Sequence, residues 1–141
     1  VKDNTNHPLC PSAVPAQEDS VIIGVVSGTV QEPRIAYLVE PQPVTEEVLA
    51  LAAPAAPTEI LRFAASCAED ACKHFDGSNC RLARRVVRVL PTVVDRLPAC
   101  HIRSRCRWWR QEGKAACMRC PQIVTDSRTN SPELSQVAFP E

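Results

Sequence analysis

The chain has 141 residues, 4% aromatic content, 13 prolines and 4 glycines, which bounds it to one domain with a modest core. Its zero net charge hides a split. Residues 1–70 hold 3 Lys/Arg against 10 Asp/Glu (net −7), and residues 71–141 hold 13 against 6 (net +7). No apolar run approaches the ~20 residues that span a bilayer, and so few glycines argue against a phosphate-cradling nucleotide fold.

In chain order, residues 1–19 are rich in Pro, Asn, Asp and Ser and predict an irregular arm. This arm carries no secretory signal pattern, so the chain reads as cytoplasmic, with no membrane partner. The apolar, β-branched run 21–30 predicts a strand, and Arg34–Val39 predicts a second. With Gln31-Glu32-Pro33 as the turn they form a hairpin, which Pro41 and Pro43 would end. Thr45 can cap a short helix whose first turn carries Glu46 and Glu47, placed to complement the helix dipole. Pro54 would stop that helix. Thr58-Glu59 predicts another, running through Ile60, Leu61, Phe63 and Ala64 to Cys67.

Residues 79–90 give the clearest helix. Leu82, Val86, Val89 and Leu90 fall on one side, with Arg81, Arg84, Arg85 and Arg88 on another. Residues 92–97 predict a shorter helical piece. Residues 103–112 predict a further helix, with Gly113 just past its end. The polar tail 126–141 reads as loose. Together these elements predict an α+β fold. One domain, 20–125, would pair a hairpin and short helices (20–64) with a helical, cysteine-rich, metal-binding region (65–125).

The cysteines carry the chemistry. Seven of the eight lie between positions 67 and 120, at Cys67, Cys72, Cys80, Cys100, Cys106, Cys117 and Cys120. The segments echo each other. Cys67 and Cys72 are followed by Lys73-His74-Phe75 and later Cys80; Cys100 and Cys106 are followed by Arg107-Trp108-Trp109 and later Cys117. The second copy adds Cys120 and Pro121, a C-x2-C-P ending also seen at iron–sulfur sites.

Three chemistries fit such a set. In the favoured one, Cys100, Cys106, Cys117 and Cys120 hold a [4Fe-4S] cluster. Cys67, Cys72 and Cys80 then hold a second, its fourth position filled by Cys10, His74 or an external ligand. Arginines around a net-negative cluster would offset its charge, and Trp108-Trp109 would shield it. In the second, zinc stabilises a protein- or nucleic-acid-binding module, with Cys67-x4-Cys72 and Cys117-x2-Cys120 as knuckles or His74 or His101 joining the set. The single C-x2-C and the long gaps fit zinc less well. In the third, disulfides staple a secreted domain.

Clusters with four thiolates have no open iron, which favours electron transfer or redox sensing through a partner over catalysis; an open three-cysteine cluster would point toward an enzyme. The Arg81, Arg84, Arg85 and Arg88 stripe is the candidate docking face for an acidic redox partner or, less favoured, nucleic acid. A solvated helix face, or a contact with the acidic half, explains the same stripe more simply. No Ser/His/Asp arrangement or nucleophile elbow is present, and Glu46-Glu47 serves the helix dipole.

Overall fold

A computed structural model describes residues 7–28 and 33–123. The turn residues 31–32, the start of the arm and the tail from 126 lie outside the described residues.

Four antiparallel strands form one sheet: β1 (Leu9–Ala13), β2 (Val21–Gly28), β3 (Pro33–Pro43) and β4 (Leu61–Ser66), in the order β1-β4-β2-β3. Among the described residues five α-helices accompany it: α1 (Glu46–Ala50), α2 (Pro57–Ile60), α3 (Arg81–Val89), α4 (Arg107–Glu112) and α5 (Lys114–Cys117). The fold is therefore α+β.

The β2–β3 hairpin forms as expected, from Val21 opposite Pro43 to Gly28 opposite Pro33. Its register slips between Ile22 and Gly24. A Cβ at Gly24 would stand 2.7 Å from Ile35 Cγ2, so the bulge requires a residue without one.

The second strand runs past Pro41 and ends at Pro43, as the proline pair predicts. β3 is an edge, where missing N–H donors cost nothing and discourage further pairing. The other edge, β1, carries Pro11. β1 also corrects the expectation of an irregular arm, because Cys10 pairs with Ala65 and Leu9 with Ser66.

The larger correction is β4. The helix expected from Thr58 stops at Ile60, and Leu61–Ser66 becomes a central strand. Pro57 and the Glu59 carboxylate, which accepts from the Ala56 N–H at 3.1 Å, do start a helical turn. Beyond it, burial on both faces outweighs the helix propensity of the alanines. Phe63 and Ala65 pack one way with Ala13 and Ile22. Ala64 packs the other way with Ile23, Val86, Cys106 and Trp108.

The two sheet faces thus serve different cores. Leu38, Val48 and Leu49 close the first, and the cysteine-bearing helices close the second. Thr45 caps α1 as predicted, its Oγ1 accepting from the Val48 N–H at 3.1 Å. α3 buries Ala83, Val86 and Leu90. Residues 92–97 are not helical. The 103–112 helix divides into a 3₁₀ turn at Arg103–Arg105 and α4, with Cys106 extended between them. Gly113 ends α4 at φ 69°, a left-handed conformation that suits glycine.

Candidate metal centre

All eight cysteines fall in the described segments, and none is bridged to another. Four of them share one pocket, and the other four are Cys10, Cys67, Cys72 and Cys80.

The first set is Cys100, Cys106, Cys117 and Cys120. All four line one pocket, together with Pro11, Tyr37, Trp108 and Ala116. Burial pushes the Cys106 thiol up to about 12 and raises Cys100 and Cys117 as well. After burial, Cys120 adds to the rise at each of these three. Trp108, 2% exposed, forms the apolar wall expected of it. Its neighbour Trp109 is covered by the Arg103 guanidinium, 5.6 Å from the ring centre.

The second set is Cys67, Cys72 and Cys80, joined by Cys10. β1 lies against the exit of β4, with the Cys67 N–H donating to the Pro8 carbonyl at 2.9 Å. Burial drives the Cys10 thiol from 9.0 to about 12, and Cys80, Cys67 and Cys72 push it further in the same direction. Burial raises Cys80 too, with Cys67 and Cys72 again contributing.

His74, the other candidate for the fourth position, is otherwise engaged. Arg85 Nη2 lies 2.9 Å from its Nδ1. A guanidinium cannot accept, so Nδ1 spends its lone pair on Arg85 and the ring proton sits on Nε2. Burial, then Arg85, Lys73 and Arg81, hold its pKa down. His101 is exposed.

The sequence echo has a structural counterpart. In each copy a 3₁₀ turn fills the gap between the first two cysteines, and the second cysteine closes it. The Cys72 N–H donates to the Glu69 carbonyl at 2.8 Å, and the Cys106 N–H to the Arg103 carbonyl at 3.1 Å. Both cysteines are extended, at φ −101°, ψ 133° and φ −71°, ψ 126°. The third cysteine of the first copy, Cys80, caps α3, its sulfur accepting from the Ala83 N–H at 3.4 Å.

Arginines reach both sets. Arg107 Nε donates to Cys67 Sγ at 3.1 Å, while its Nη2 pairs with Glu69 at 2.7 Å. Arg103 donates to the Cys117 sulfur. Arg62, 0% exposed, donates from Nη2 to Cys120 Sγ at 3.1 Å. Its place beside the sulfurs was not anticipated from sequence. The available signal was a lone arginine within the apolar run Leu61-Arg62-Phe63-Ala64-Ala65.

The α3 stripe is largely spoken for within the chain. Arg81 donates to the Lys73 carbonyl at 2.8 Å, Arg84 pairs with Asp76 at 3.4 Å, and Arg85 holds His74. Arg88 is exposed.

Among the described residues, no three His, Cys, Asp or Glu side chains converge tightly enough to hold a single metal ion. Nor is any helix among them long and apolar enough to cross a membrane. Comparison with known proteins finds no matching family model, no similar curated protein and no similar solved structure.

Proposed function

We propose that this chain is an iron–sulfur protein that carries two [4Fe-4S] clusters and passes single electrons to and from a protein partner. What carries this reading is the sorting of eight unbridged cysteines into two sets of four. Cys100, Cys106, Cys117 and Cys120 share one pocket, and Cys67, Cys72 and Cys80 act electrostatically on Cys10, which would complete the second set. Each set meets the ligand count of one cubane.

Four thiolates around one zinc ion, each bonded at ~2.3 Å, must crowd within ~4 Å of one another. A cubane fills the space between its ligands with iron and sulfide, so its thiolates stand farther apart. The arginine N–H groups on Cys67, Cys117 and Cys120 provide the hydrogen bonds to sulfur that stabilise a net-negative cluster.

With Cys10 completing the second set, neither cluster has an open iron. That supports electron traffic over substrate chemistry. The arginine face of α3, directly after Cys80, is the natural docking face for an acidic partner, with Arg81, Arg84 and Arg88 exposed on it.

The test is ligand by ligand. Serine at Cys100, Cys106, Cys117 or Cys120 is expected to remove the same half of the iron and the same spectral component from anaerobically purified protein. Any one of these variants keeping full iron content and an unchanged spectrum would break the assigned set.

A further inference from the structure

The side of the molecule away from the helices carries an apolar prominence. Val39 and Leu51 are each 84% exposed. Val39 owes this to the slip in the β2–β3 register. Ile22 faces Gln42 and Gly24 faces Tyr37, so Leu38, Val39, Glu40 and Pro41 stand opposite Ile23 alone and the chain bows outward. Leu51 follows α1 directly. Leu38, Val48 and Leu49 pack into the same core, so the two prominent side chains rise from one surface. Glu40, Glu46 and Glu47 are exposed around them. An apolar centre with a charged rim is the anatomy of a docking surface.

The arginine face of α3 is its electrostatic complement. Arg81, Arg84 and Arg88 are exposed. The ion pairs among the described residues join Arg84 with Asp76, Arg96 with Asp95 and Arg107 with Glu69, and none involves Glu40, Glu46 or Glu47.

The sheet keeps the two surfaces apart. Ala83, Val86 and Leu90 seat α3 in the core that holds Ala64 of β4. Val48 and Leu49 seat α1 in the core that holds Phe63 and Ala65. Alternate residues of a strand face opposite ways, so the arginines and the Val39/Leu51 prominence lie on opposite sides of one sheet. They cannot meet within one molecule.

Naming the partner of the docking face proposed above, and resting on that reading, we propose that it is a second copy of this chain. The Val39/Leu51 surface of one copy, with its glutamate rim, sits on the α3 arginine face of the next. A two-fold dimer cannot join opposite sides of rigid molecules, so the copies add head to tail. The zero net charge of the chain removes the general repulsion that would oppose this.

The experiment is sedimentation velocity of the full chain, purified without oxygen, over a concentration series. Average mass should rise with concentration at low salt, and association should weaken about tenfold or more at high salt. Leu51→Ser, Glu46→Gln with Glu47→Gln, and Arg81→Gln with Arg88→Gln should each hold the chain monomeric at concentrations where wild type assembles. All these positions are exposed, and circular dichroism checks that each variant folds. The sharpest arm mixes the two double variants. One keeps the arginine face and the other keeps the glutamate rim, so together they should form one-to-one dimers and grow no further. A wild-type chain that stays monomeric at low salt, assembly indifferent to salt or to either double variant, or a mixture that grows past the dimer would overturn the proposal. Iron is measured on the same samples. A chain that holds iron yet stays monomeric overturns self-association and keeps the cluster reading, whereas a chain that assembles without iron does the reverse.

Discussion

At the scale of single residues, the fourth ligand of the second set decides between a closed carrier cluster and an open, reactive one. Cys10 and His74 were indistinguishable in the sequence, one distant and one near. In the structure each is engaged differently. β1 brings Cys10 to the exit of β4, and Arg85 occupies the histidine lone pair. Cys10→Ser is therefore expected to cost the cluster of Cys67, Cys72 and Cys80, and His74→Ala to keep it. Iron analysis of the two variants checks this, and the reverse pattern would reassign the ligand. Arg62 was not legible in the same way. Its meaning depends on two carbonyls from the C-terminal segment, Cys120 and Ile123, and one from β1, none of them near it in sequence.

At the scale of elements, the hairpin, α1 with its Thr45 cap, α3 and the Gly113 stop were all readable from local pattern. β4 was not. Leu61–Ser66 has no β-branched residue, and a proline and a glutamate placed for helix initiation precede it. Only pairing on both sides, with β1 and β2, makes it a strand. Phe63, 0% exposed, anchors it in the core with Ala13, Ile22 and Ala65. Phe63→Ala should cost ~3–5 kcal/mol in a denaturant titration while leaving the iron content of the folded fraction unchanged. Loss of iron at full stability would contradict the division into two faces.

The end of β4 is also pinned from the β1–β2 connection. The Asp19 carboxylate accepts from the Ser66 N–H at 3.1 and 3.2 Å and from the Ser66 hydroxyl. The hydroxyl, more than the backbone, holds the Asp19 carboxyl below its usual 3.8. A carboxylate with a depressed pKa contributes stability that is present above 3.8 and lost as pH falls through its lower folded value. Asp19→Asn should thus destabilise the protein by about 1 kcal/mol near pH 7, a small figure because the site is exposed and solvent-screened. The difference from wild type should fade below pH ~3.8. Denaturant midpoints at pH 7 and pH 3 measure it, and a difference that grows on acidification has the wrong sign.

At the scale of the whole molecule, the acidic and basic halves turn out to be structural partners. The N-terminal half supplies all four strands, and the C-terminal half lays its helices on one face of the sheet. The cysteine spacings made the Cys100–Cys120 set legible because it is local in sequence. The proposed second set is not local, since it would draw Cys10 from a strand in a segment that looked irregular. Metal-free protein should also respond to alkali. Thiols raised to about 12 at Cys10 and Cys106 stabilise the folded chain below pH ~9, and that stability is lost as pH climbs toward 12. Loading with metal requires thiolates and should remove this alkaline weakness.

The two-cluster assignment is tested most directly by iron and acid-labile sulfide analysis of the chain purified without oxygen. The account predicts a brown protein with about eight iron and about eight sulfide per chain, four of each per set of cysteines. A colourless protein holding stoichiometric zinc, or one whose thiols are all lost to disulfides, would contradict it.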